Sequence, residues 1–79
     1  MNNRELKAAR VRAGKTQQQC ADVLGITRIM YAQKERGLNG FSLTQAGLLS
    51  AFLQISKEDF FKIFLADSVY TNNNKGVTA

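Results

Sequence analysis

Histidine is missing from this chain and cysteine occurs once. That scarcity excludes a disulfide framework within the chain and any zinc site of ordinary ligand spacing. It also argues against an enzyme, because no nucleophile has a base at usable spacing and 79 residues enclose too small a core for a roomy pocket. No cofactor, no metal and no small-molecule ligand is therefore expected. Long apolar runs are absent too: nothing approaches the ~20 residues of a membrane span. Met1 to Lys15 alternates charge with small residues where a signal peptide would carry an apolar stretch. A cytoplasmic location is the expectation, and the reducing cytosol suits the lone Cys20.

Basic residues are scarce in one half only. Residues 1–40 hold eight basic side chains against three acidic ones, whereas residues 41–79 hold three of each. The whole formal excess of +5 thus sits in the N-terminal half. Such a one-sided basic charge is expected of a surface that displaces counterions from phosphates; the bland alternative is a solvated basic face with no such partner.

Strand signals are lacking as well, and an all-α chain of five helices accounts for the pattern. Leu6, Ala9 and Ala13 keep helical spacing in a first helix over about 4–13 that closes at Gly14. Thr16 followed by Gln19 is a capping-box pattern that opens a second helix ending at Leu24. Gly25 then enters the left-handed conformation of a tight turn without steric cost. Thr27 caps a third helix, which runs to about Arg36 and stops at Gly37. Ser42 with Gln45 repeats the capping box for a fourth, whose Leu43, Ala46, Leu49, Phe52 and Leu53 are expected to face the core. Ser56 with Asp59 opens the fifth. Cys20 packs between helices as a small apolar side chain, and Lys34 lays its stem along the core edge.

Two short helices joined by a three-residue turn over Thr16 to Gly37 have the spacing of a DNA-reading helix-turn-helix. The segment resembles the lambda-repressor-like helix-turn-helix family, the repressors and Cro proteins of temperate phages and many small bacterial regulators. The resemblance rests on Gln17, Ala21, Gly25, Ile26, Thr27 and Glu35-Arg36-Gly37, preceded by Arg10 and followed by Ser42-Leu43 and Leu53-Gln54-Ile55-Ser56. It covers roughly residues 4–65. Cys20, Tyr31, Lys34 and Phe41 depart from the usual residues and shift the subgroup more than the family. The resemblance implies a five-helix domain over residues 1–66, and the stretch over 67–79, with its Asn72-Asn73-Asn74 run and no periodicity, is expected to be a flexible tail. It implies a transcriptional regulator, a repressor that binds a double-stranded, two-fold DNA operator as a homodimer. It also implies that Gln17 clamps a phosphate and that Arg10 and Glu35 pair between the first and third helices.

With Tyr31 facing inward, 100° per residue places Ile29, Ala32, Gln33 and Arg36 on the outer side of the third helix, with Arg28 in its first turn. Thr27, Arg28, Ile29 and Gln33 are the expected base-contacting residues. Arg28 is suited to guanine O6 and N7, Gln33 to adenine N6 and N7, and Ile29 to a thymine methyl. The bland alternatives are phosphate contact or solvation for the polar pair and a stray exposed side chain for Ile29. Gln17, Lys15, Arg36, Asn39 and Gly40 are expected at the DNA backbone. Phe60, Phe61, Ile63, Phe64 and Leu65 span an arc of roughly 200° on the fifth helix, where one buried face needs little more than 100°. Phe61, Phe64 and Leu65 therefore suit a dimer seam, unless the helix sinks further into its own core. An antitoxin or other protein-interaction partner built on the same fold is the alternative function.

Overall fold

Each helix starts on a side-chain cap, so the chain's own short-range chemistry divides it into elements. A computed structural model describes residues 1–65. The tail expected over 67–79 lies outside them. Asn2 caps α1 (Asn3–Arg12), its Oδ1 accepting from the Glu5 N–H at 3.2 Å. Thr16 and Gln19 cap α2 (Gln17–Leu24) reciprocally, with the Gln19 N–H donating to Thr16 Oγ1 at 3.0 Å and the Thr16 N–H to Gln19 Oε1 at 2.8 Å. Thr27 Oγ1 accepts from Met30 at the start of α3 (Arg28–Glu35), and Ser42 and Gln45 form the box of α4 (Leu43–Leu53). Ser56 opens α5 (Lys57–Phe60), which passes directly into a π-helical segment, Phe61–Leu65.

The chain reverses at left-handed residues. Gly14, Gly25 and Gly37 have positive φ, and Gln54, at φ 58°, does the same work at the end of α4 without being glycine. α2 packs on α3 and α4, and α1 lies against α3 and the π-helical segment. Leu6, Cys20, Tyr31, Leu49 and Ile63 are the large side chains fully buried where these helices meet. The Asn2 N–H donates to the Ile63 carbonyl at 2.7 Å, fastening the N-terminus to the last described element. No helix among the described residues is long and apolar enough to cross a membrane.

Two expectations change. Leu43 is 72% exposed rather than in the core. As the first residue of α4 its side chain leans back past the helix start, so the buried stripe begins at Ala46 and continues through Leu49, Ser50 and Leu53. The wide apolar arc of the fifth helix is also largely consumed by the subunit itself. Ile63 is buried, Phe64 and Leu65 are half-buried, and Phe64 stands edge-on to Phe41 with ring centroids 5.8 Å apart. Phe61 alone of the three residues expected at a seam is exposed, at 46%. A π-helical turn winds fewer degrees per residue than an α turn, so 100° arithmetic no longer describes this segment.

Candidate DNA interface

The geometry of the α2–α3 unit follows from its turn. Leu24 ends α2, Gly25 takes φ 69°, and the Ile26 N–H donates to the Ala21 carbonyl at 3.0 Å. Thr27 then starts α3 with its hydroxyl oxygen committed to the Met30 N–H at 3.1 Å. What Thr27 has left to offer outward is its hydroxyl proton and methyl group.

Tyr31 is fully buried, and its register sets the outer face of α3. Arg28, Ile29 and Arg36 are exposed, Ile29 at 64%, while Ala32 and Gln33 are half-buried. Met30, 44% exposed, belongs to this surface and was not among the residues expected to touch DNA. It lies one residue, or about 100°, from Tyr31, in the same first turn as Arg28. Like Ile29, it is an exposed apolar side chain on a face that also carries Arg28 and Gln33.

Behind that face, α1, α2 and α3 are joined by one carboxylate. Glu35, 5% exposed, accepts from Arg10 Nε at 2.8 Å and Nη2 at 3.2 Å, from the Tyr31 hydroxyl at 2.8 Å and from Gln17 Nε2 at 3.1 Å. Arg10 Nη1 donates onward to the Lys15 carbonyl at 2.9 Å, tying in the loop before α2. Burial is the largest single influence on the Glu35 carboxyl and pushes its pKa up. The hydrogen bonds from Arg10, Tyr31 and Gln17 together outweigh it, and the net shift is downward. Glu35 in turn raises Arg10, chiefly through their hydrogen bond. Burial and then the Glu35 contact push the Tyr31 hydroxyl far up, so it stays a donor. The part of Tyr31 in this network escaped the sequence, although its four-residue spacing from Glu35 on one helix was a signal.

The expected backbone-contact residues divide. Gln17 lies in the first turn of α2, where unpaired N–H groups gather, but its side chain also reaches inward to Glu35. Lys15 holds its ammonium over the Phe52 ring, 4.9 Å from the centroid. Arg36, Asn39 and Gly40 are exposed. Lys34 Nζ donates to the Gly40 carbonyl at 2.9 Å and lies over Phe41, so it braces the loop that carries Asn39.

A helix-turn-helix family model of the Cro/C1 type matches residues 6–60, from the middle of α1 to the end of α5. No curated protein and no solved structure matches the chain. With the two-helix unit, its outward polar face and a match over more than half its length, the chain belongs to the Cro/C1-type helix-turn-helix family and is a DNA-binding transcriptional regulator.

Proposed function

We propose that this regulator is a repressor of the phage or prophage type that binds a two-fold operator as a homodimer, with residues 1–66 as its DNA-binding unit. The observation that carries the reading is the outer face of α3, where Arg28 and Ile29 stand in solvent beside Gln33 on a helix whose inner side is locked by Tyr31 and Glu35. A rigid inner side is what lets a short helix hold its side chains in register with base edges. Two copies would present two such helices to successive major grooves about 34 Å apart. Phe61 and Leu48, both half-exposed apolar side chains outside α3, support a protein partner. The same exposure favours the second reading, a protein-interaction partner such as an antitoxin. Selection of bound sequences from a random duplex pool, with sedimentation of the free protein, tests both. Recovery of a two-fold site by a dimer is expected. Enrichment of no sequence would overturn the operator reading and leave the protein-partner one.

A further inference from the structure

A groove opens between the start of α1, the end of α3 and the π-helical segment, with Arg4, Lys7, Arg36 and Lys62 along its walls and Gln17 at its inner edge. We propose, resting on DNA binding through α3, that this groove seats a DNA backbone phosphate outside the helix-turn-helix itself, with Arg4, Lys7 and Lys62 as additional backbone-binding residues.

Three observations carry this. First, the cations come together because the fold fastens their three elements. The Asn2 N–H is bonded to Ile63 next to Lys62, and the Asn3 side chain packs where a Cβ on Gly37, next to Arg36, would lie only 2.5 Å from its Nδ2. Secondly, they are uncommitted. Arg10, Lys15 and Lys34 are each engaged within the subunit, whereas among the described residues no side chain of Arg4, Lys7, Arg36 or Lys62 has a hydrogen bond or ion pair. The carboxylates in the groove are Glu5 and Glu35, and the charge of Glu35 is matched by Arg10 at 2.8 Å. Against these four cations the groove sets one carboxylate not matched within the subunit, Glu5, so a net positive charge remains that a phosphate offsets.

Thirdly, the inner edge is set to donate. An unconstrained glutamine presents either amide end, but the Glu35 carboxylate accepts only hydrogen, so it holds the Gln17 nitrogen in place and leaves that nitrogen a second N–H. Glu35 is thus a positioning residue for Gln17. The groove includes Gln17 and Arg36, both expected to contact the DNA backbone, and this continuity selects a duplex phosphate over an unrelated anion.

The test compares the salt dependence of duplex binding by the full chain, its Lys7→Gln/Lys62→Gln variant and a charge control, Lys57→Gln, whose exposed lysine lies outside the groove. Circular dichroism checks folding. The double variant is expected to flatten the slope of log K against log salt by roughly 0.9 for each phosphate it no longer neutralises. Ethylation of the corresponding phosphate should then weaken the wild type and not the variant. A slope equal to that of the wild type, or one matched by Lys57→Gln, overturns the groove while α3-mediated binding stands. Failure of the wild-type chain to bind any duplex overturns both.

Discussion

Tyr31 donates its hydroxyl to Glu35 and so fills a place on the carboxylate that an aliphatic side chain would leave open. Tyr31→Phe keeps the packing and removes one donor from a buried carboxylate. It should cost about 1–3 kcal/mol, read from urea unfolding, with little change in helicity. Glu35 also gives stability a pH dependence of known sign. Its folded-state pKa is lowered, so its contribution is fully present above the ordinary glutamate value of about 4.3. That contribution is lost as pH falls through the lower folded value. Wild type should therefore lose more stability than Glu35→Gln between about pH 5 and about pH 3. Equal losses would mean that the carboxylate titrates alike in both states. On the outer face, Arg28→Ala and Gln33→Ala should each cost on the order of 1–3 kcal/mol at the operator and leave non-specific binding nearly unchanged. An equal loss on random duplex would move Arg28 to the phosphates.

At the scale of the element, the helix ends differ in how well their residues suit them. Gly25 adopts φ 69° with open space around the position of an added Cβ, so Gly25→Ala should cost only the left-handed backbone strain, about 1–2 kcal/mol. Gln54 carries that strain already at φ 58°. Gln54→Gly should therefore raise the thermal midpoint, since relief of the strain outweighs the added freedom of the unfolded chain. An unchanged or lower midpoint would show that the Gln54 side chain supplies something its backbone does not. The starts of α2 to α5 were legible from Thr16, Thr27, Ser42 and Ser56, because a cap acts over three residues, whereas α1 starts at Asn3 on an Asn2 cap that its apolar spacing did not reveal. The π-helical winding after Phe60 was not legible, because it depends on what the segment packs against.

For the whole molecule the question is which apolar surface a second copy would cover. Phe61 is exposed, whereas Phe64 packs against Phe41 and against Phe60, at 5.2 Å between centroids. Phe61→Glu should leave a folded subunit that sediments as a monomer and binds one half-site weakly, because linked half-sites reinforce each other. Phe64→Glu should instead lower the stability of the subunit, since a charge is brought against its own core. A folded Phe61→Glu dimer would move the seam to another exposed surface, of which the uncharged outer side of α4 around Leu43 and Leu48 is the most apolar.

Caps, turns and charge sign are short-range properties, and the sequence by itself determined them. It determined the number and order of the helices, the left-handed glycines, the inward register of Tyr31 and the one-sided basic charge. Only the tertiary structure decided which side chains meet across elements. It brought Gln17, Arg10 and Tyr31 to one carboxylate, sank Phe64 into the margin of the core, left Leu43 in solvent and gathered Arg4, Lys7, Arg36 and Lys62 along one groove. The physical reason is that a helical repeat specifies which face of an element is apolar, but how far along its axis that face is covered depends on the crossing of its neighbours.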